Sequence, residues 1–111
     1  MARPPHPPDI EVQLTFLPTS EGGKTRATCS GYRPTHDFGI PGMHFGGHHE
    51  LVGQERVLPG ESVRSLVWLL DPESQVGRLA PGFEFNVHEG LQVVARGVIV
   101  NVINQALRSC A

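Results

Sequence analysis

Apolar and polar residues alternate strictly near the start of the chain. Every second residue from Ile10 to Phe16 is apolar, and the residues between them are polar. In an extended strand, a period of two places all the apolar side chains on one face. Weaker alternation continues over residues 24–32, after a Gly-Gly pair that suits a turn because glycine accepts positive φ. The pattern predicts strands at 10–17 and 24–32.

The second half of the chain predicts three further strands. Residues 62–70 are apolar on both faces, which indicates a strand covered outside as well as inside, or one that lies against a partner. A Pro-Gly pair precedes the alternating segment 83–88, and a Glu-Gly turn leads from it into 91–103, as in a hairpin. Gly97, in the middle of this longest strand, is predicted to mark a bend or a close approach.

The middle of the chain is less regular. Residues 35–50 are rich in glycine, hold four of the six histidines and show no alternation until about residue 49. We predict an irregular loop there, followed by a strand at 48–57 with a bulge or bend at Gly53. The pair Pro59-Gly60 fits the central positions of a type II turn.

These elements predict an all-β fold. Six short antiparallel strands in one small domain are expected to close into a β-barrel, because closure removes exposed strand edges. Residues 1–9 are predicted to form a stiff, proline-rich lead-in, 10–104 the barrel, and 105–111 a C-terminal tail.

Composition limits the classes of function. A chain of 111 residues fits one domain, and 39% hydrophobic with 18% charged residues is ordinary for a globular protein. The net charge of −2 provides no general attraction to nucleic acid or to an anionic membrane. No run approaches the ~20 apolar residues of a membrane helix, and the N-terminus lacks the apolar core of a signal peptide. We therefore expect a cytoplasmic protein with two reduced cysteines.

Three segments, taken in order, carry a family resemblance. Residues 21–34 read Glu-Gly-Gly-Lys-Thr-Arg-Ala-Thr-Cys-Ser-Gly-Tyr-Arg-Pro, residues 57–63 read Val-Leu-Pro-Gly-Glu-Ser-Val, and residues 89–99 read Glu-Gly-Leu-Gln-Val-Val-Ala-Arg-Gly-Val-Ile. They resemble the Gly-Gly-basic turn with Gly-Tyr-Arg-Pro, the Pro-Gly turn and the closing hairpin of the C-terminal (third) β-barrel domain of elongation factor Tu. The resemblance spans most of the chain and implies the same closed six-stranded antiparallel barrel. Because it is confined to this domain, and the sequence has no phosphate-cradling loop, nucleotide binding is not expected.

The resemblance also implies candidate RNA contacts. In elongation factor Tu this barrel touches the T stem of aminoacyl-tRNA; Lys24 matches a basic turn residue, Gly90 a hairpin glycine, and Thr35 a polar position after Gly-Tyr-Arg-Pro. The family's Arg-Thr-Thr-Asp stretch has no counterpart in residues 37–50, and Gln92 replaces a hairpin arginine, so several RNA-contacting positions are missing. With three further arginines, the candidate contacts for RNA or a partner are Lys24, Arg26, Arg33, Thr35, Gly90 and Arg96.

The histidine-rich segment suggests a second kind of site. His44, His48 and His49 are candidate zinc ligands, because imidazole is a common ligand of that ion. The intervening Gly-Gly pair disfavours a helix, and on a strand His44 and His48 would lie about 13 Å apart. Solvated loop histidines are the alternative interpretation. No nucleophile, base and oxyanion donor occur in a recognisable arrangement, so neither catalysis nor a cofactor is expected.

The sequence therefore predicts a binding module without enzyme activity. We expect an unidentified protein as its partner, with Trp68, in the doubly apolar strand, as the anchor of the contact face. The alternative is a tRNA- or RNA-binding domain like that of a translation factor. A more remote alternative is a metal-binding protein that uses the histidine loop.

Overall fold

The computed structural model describes residues 3–110. Over these residues the protein has eight β-strands and three short 3₁₀ turns. The strands are β1 (Ile10–Phe16), β2 (Thr28–Cys29), β3 (Thr35–Asp37), β4 (Phe45–Val52), β5 (Arg56–Val57), β6 (Ser62–Leu69), β7 (Glu84–Glu89) and β8 (Gln92–Val102). The 3₁₀ turns are Thr19–Glu21, Pro72–Gln75 and Gln105–Leu107.

Six of these strands close into a barrel. Their order around it is β1-β6-β4-β3-β7-β8, with β8 pairing back to β1, and every neighbouring pair is antiparallel. Strands β2 and β5 form a separate two-stranded ribbon. The predicted all-β, closed six-stranded antiparallel barrel is confirmed. Its kinship with elongation factor Tu stays a prediction.

Four of the predicted strands are confirmed to within one residue at each end: β1, β6, β7 and β8. The hairpin between β7 and β8 turns at Gly90, whose φ is 60°. Gly97 is a close-approach residue as predicted, because a Cβ added there would lie 2.2 Å from Cζ of Phe85. Phe85 thus fills the space beneath β8 that a side chain on Gly97 would need.

The strand predicted over residues 24–32 is wrong for most of its length. Strand β2 pairs with β5 rather than with the barrel, and only Tyr32, at the end of the segment, pairs with His49 of β4. The sixth barrel strand is instead β3, three residues long, which lies between β4 and β7. Residues 24–32 are polar or small on both faces, so neither face suits an apolar core.

The irregular loop predicted over residues 35–50 is also wrong, since it contains β3 and most of β4. Both glycines of β4 lie where a side chain approaches closely. A Cβ on Gly46 would lie 2.7 Å from Cδ1 of Leu70, and one on Gly47 would lie 2.8 Å from Cε1 of His36. Strand β4 ends at Val52, and Gly53 (φ 80°) begins the turn to β5, so the strand predicted over 48–57 is divided in two.

The inward side chains of the barrel strands form one apolar core. All four apolar residues of the β1 alternation are at most 2% exposed: Ile10, Val12, Leu14 and Phe16. The barrel also encloses three polar residues with no exposed surface, His36, His49 and Ser65. The alternation therefore predicted the inward face of β1 correctly, whereas the buried polar residues were not predicted.

Residues 3–9 of the proline-rich lead-in pack against the barrel, and residues 1 and 2 lie outside the described part of the chain. The carbonyl of His6 accepts a hydrogen bond from the Trp68 indole N–H (2.7 Å), which holds the segment against β6. Asp9 fixes the point where the lead-in meets β1. Its carboxylate accepts hydrogen bonds from the backbone N–H of Leu69 (2.8 Å) and from the side-chain amide of Asn104 (2.9 Å). The lead-in is therefore a structural part of the domain.

The described part of the predicted tail, residues 105–110, is packed as well. Leu107 is 1% exposed, and its carbonyl accepts a hydrogen bond from the backbone N–H of Leu79 (2.8 Å). The segment after β8 thus covers the connection between β6 and β7. Within residues 3–110, no helix has the length and apolar character required to cross a bilayer.

Candidate functional site

Two of the predicted contacts, Lys24 and Arg26, line one open groove. Glu89 and Gln92 line it too, and its volume is about 390 Å³. Gln92 donates hydrogen bonds to the backbone carbonyls of the Gly-Gly turn, which ties that turn to the β7–β8 hairpin. The structure therefore brings the predicted basic turn and the predicted hairpin together.

The charge of Lys24 is neutralised within this groove. Its Nζ lies 2.7 Å from Oε2 of Glu89 and 4.3 Å from the centre of the Tyr32 ring. The Tyr32 hydroxyl donates to the same carboxylate oxygen. Partial burial acts to raise the pKa of Glu89, but the hydrogen bonds from Lys24 and Tyr32 outweigh it and lower that pKa. Burial, followed by the contact with Glu89, raises the pKa of Tyr32.

The other predicted contacts are scattered. Arg33, which directly follows Tyr32, is exposed. Thr35 lies within β3, where its hydroxyl donates to the carbonyl of His88 (3.4 Å). Gly90 is at the hairpin turn, while Arg96 lies on β8 and lines a different groove. The six predicted contacts therefore do not form one continuous basic face.

Trp68 does not provide the predicted partner face. It is only 2% exposed, because the lead-in covers it. The Arg3 guanidinium lies 5.3 Å from the centre of its ring, the carbonyl of His6 accepts from its indole N–H, and His48 packs edge-on at 5.7 Å. Trp68, on the outer face of β6, is thus covered by the same chain, whereas Leu70 just after this strand is 76% exposed.

The three polar residues inside the barrel form a hydrogen-bonded relay. The carbonyl of Phe45 can only accept, so His36 donates to it from Nδ1 (2.7 Å). His36 Nε2 then accepts from the Nε2–H of His49 (2.8 Å). Finally, His49 Nδ1 accepts from the hydroxyl of Ser65 (2.8 Å). Each ring nitrogen of both histidines has one partner when both rings are neutral.

Burial keeps both histidines neutral. It lowers the pKa of His36 to about 4, opposed by the hydrogen bond to Phe45 and assisted by His88. The pKa of His49 is also well below its usual value, because of burial and then of the charges on His36 and His48. Ser65 and His49 have the order of a nucleophile and its base, but both are fully enclosed. The relay is therefore a structural network, closed to substrates.

The predicted metal ligands His44, His48 and His49 do not converge. His49 points into the barrel, and the adjacent His48 points outward, where its Nε2 lies 2.7 Å from Oε2 of Glu50. His44 precedes β4 and is exposed, and its ring centre is 4.1 Å from that of His88. Consecutive residues of a strand face opposite sides, so this trio is not a metal site.

A different set of donors comes together on the outside of the barrel. One ligand atom from each of Asp37, His44 and His88 lies within 4.8 Å of the other two. Asp37 and His88 are far apart in sequence and meet because β3 pairs with β7. The sequence prediction missed this set because it did not recognise β3 as a strand, although each residue alone is an ordinary metal ligand.

A second open groove begins beside these donors. It has a volume of about 420 Å³ and runs over β7 and β8. Gly97 and the Phe85 beneath it form part of the lining, and Val98, 39% exposed, lies next to them. The polar lining has both signs of charge and comprises Asp37, Glu84, Asn86 and Arg96. Arg96 is held by a hydrogen bond to the side chain of Asn86 (3.2 Å). We call this feature the β7–β8 groove.

No protein-family model matches the sequence.

Proposed function

We propose that this chain is a non-catalytic, cytoplasmic binding module, built on a barrel like the third domain of elongation factor Tu, that acts by contacting another protein. The proposal rests on the lining of the β7–β8 groove. An open concave surface with a small apolar patch and a few placed polar groups is a common form of binding site. Val98 provides the apolar contact, and the charged residues around it provide the polar ones.

The charges of the groove favour a protein over a nucleic acid. Asp37 and Glu84 add two carboxylates to the same surface as Arg96. Phosphates would be repelled by the carboxylates, whereas a protein surface can match both signs. The pairing of Lys24 with Glu89 and the net charge of −2 also disfavour binding of a nucleic acid.

The proposal of a non-catalytic role is supported by the relay in the core. The pair Ser65 and His49 is enclosed by the barrel, and a general base must be within hydrogen-bond reach of the proton that it removes. The partners of the Ser65 hydroxyl are instead His49 and the backbone carbonyls of Glu50 and Leu66, all within the fold. This pair therefore serves the packing of the barrel.

Affinity capture from native cell extract tests the proposal. Arg96→Glu should abolish capture of the partner, because it places a third negative charge in the groove. Arg56→Glu is the matched control, since Arg56 is equally exposed but lies on the ribbon of β2 and β5. Capture that survives Arg96→Glu, or is lost equally with both variants, would refute a role of the groove.

A second candidate function is binding of tRNA. One observation favours it: exposed Arg26 lies in the same groove as Lys24, at the turn that resembles elongation factor Tu. Titration into labelled tRNA at low and high salt distinguishes the two candidates, because affinity that depends on phosphate contacts falls steeply with salt. Salt-sensitive binding that Arg26→Ala weakens would favour RNA. Absence of binding would leave the protein partner.

A further inference from the structure

Three potential metal ligands lie together outside the core of the barrel. Asp37 is the last residue of β3, His88 lies on the neighbouring β7, and His44 immediately precedes β4, the other neighbour of β3. One ligand atom from each lies within 4.8 Å of the other two. Two of the three are thus held on paired strands, and the third lies at the start of an adjacent one.

The buried ring nitrogens of His88, which lack hydrogen-bond partners among the described residues, are an independent indication that a ligand binds here. This side chain is only 8% exposed. Within residues 3–110, neither of its ring nitrogens has a hydrogen-bond partner. A neutral imidazole carries one donor and one acceptor, and buried polar groups of this kind are normally paired. The exposed ring of His44 lies against it, 4.1 Å between centres, and provides a second nitrogen on the same side.

We propose that Asp37, His44 and His88 bind a divalent transition-metal ion, of which Zn²⁺ is the appropriate probe. Two imidazoles and one carboxylate are a ligand set that such ions accept, and zinc binds both types of donor at about 2.0 to 2.2 Å. A metal on His88 gives one of its ring nitrogens the partner that the protein does not provide.

Closing the site requires little rearrangement. Ligand atoms around a tetrahedral ion are separated by about 3.3 Å, as bond lengths near 2 Å require. The donors here must approach from separations of up to 4.8 Å. His44 is exposed and outside the strands, so its side chain is free to rotate toward the other two donors. Oδ1 of Asp37 accepts a hydrogen bond from the backbone N–H of Gly39 (2.9 Å), which orients the carboxylate.

The proposed metal site is adjacent to the β7–β8 groove. Three protein ligands leave one position of a tetrahedral ion open. Asp37 is one of the three donors and also lines the β7–β8 groove. The ion would therefore lie at one end of that groove. Metal binding does not depend on the proposed protein contact, and the two are tested separately.

The test is calorimetric titration of chelator-treated, tag-free protein with Zn²⁺. We expect one ion per chain. His44→Ala and Asp37→Asn should each weaken binding by at least about tenfold, the loss that even outer partners of a metal site cause. His6→Ala is the matched control, because His6 is also exposed but lies in the lead-in, and it should bind like the unaltered chain.

Ring-nitrogen NMR of the histidines provides the second readout, and it does not depend on a variant at the buried His88. Zn²⁺ should shift the resonances of His44 and His88 and leave those of His6 unchanged. The proposal is overturned if Zn²⁺ does not bind, if His44→Ala and Asp37→Asn bind as tightly as the unaltered chain, or if the resonances of His88 do not move.

Discussion

His36 and His49 remain neutral inside the barrel because burial lowers the pKa of both rings, and their hydrogen bonds run in one direction. The donors point from Ser65 through both rings to the carbonyl of Phe45. A proton added to Nε2 of His36 would face the Nε2–H of His49, and burial would leave a charge on either ring without water. The relay therefore couples the packing of β3, β4 and β6 to pH.

Stability should fall as the pH drops below about 6.5. The pKa of His49 is well below that value in the folded chain, so the unfolded chain binds the proton first. Its contribution is fully present above pH 6.5 and is lost progressively below it, by up to about 1.4 kcal/mol per pH unit. Urea unfolding between pH 7 and 5 measures this slope. His49→Gln should make the slope shallower, while the exposed His6→Gln should not; equal slopes in all three proteins would contradict the prediction.

Because Gly97 has no side chain, the ring of Phe85 can occupy the space beneath β8. The backbone φ of Gly97 is not among the positive values, so the constraint is space. Gly97→Ala would place a Cβ within 2.2 Å of Cζ of Phe85. We expect a loss of about 1 to 3 kcal/mol in the free energy of unfolding, measured with urea.

The double variant Gly97→Ala with Phe85→Leu tests the cause of that loss. Leucine removes the ring atoms that the new methyl group meets, so the double variant should lose less than the sum of the two single variants. If the two losses are simply additive, the clash with Phe85 is not the reason for the glycine.

At the scale of the element, strands with a sustained apolar pattern on one or both faces were predictable, and the short or glycine-rich strands were not. Strands β1, β7 and β8 show clear alternation, and their ends were predicted to within one residue. Strand β3 is three residues long, too short for alternation to identify it, and its inward residue is His36. In strand β4, two glycines follow Phe45, and such a pair in sequence is typical of a loop. The close approach of the Leu70 and His36 side chains, which explains the glycines, is visible only in the structure.

Because β3 was not predicted, the proximity of the metal donors was not predicted either. Asp37 and His88 meet only because β3 pairs with β7, so a prediction without β3 could not bring them together. The burial of Trp68 was hidden for a related reason. Its cover is a proline-rich segment with no periodic pattern, and such a segment gives no sign of where it packs.

The lead-in should control the environment of Trp68. A variant that begins at Asp9 loses the carbonyl acceptor of His6 and the guanidinium of Arg3. Water then reaches the indole, and emission of this single tryptophan should shift to longer wavelength, with a loss of about 1 to 2 kcal/mol of stability. His6→Ala keeps the backbone carbonyl and should leave the spectrum unchanged. Unchanged emission in the shortened chain would show that the lead-in does not cover Trp68.

At the scale of the whole molecule, carboxylates accompany the basic residues in both grooves. The net charge is −2, Lys24 is paired with Glu89, and Arg96 shares its groove with two carboxylates. A nucleic-acid surface would be expected to present its cations together. If the proposed kinship with elongation factor Tu holds, the barrel has kept the turns of that domain, and its proposed contact surface is the β7–β8 groove.

Site-specific photo-crosslinking in native cell extract tests this claim most directly. A photoreactive residue at position 98 would lie in the β7–β8 groove. One at position 58, where Leu58 is 44% exposed, would lie outside it and serve as the control. The account predicts a protein adduct from position 98, insensitive to nuclease and absent at position 58. Adducts only at position 58, equal adducts at both positions, or a nuclease-sensitive adduct would contradict it.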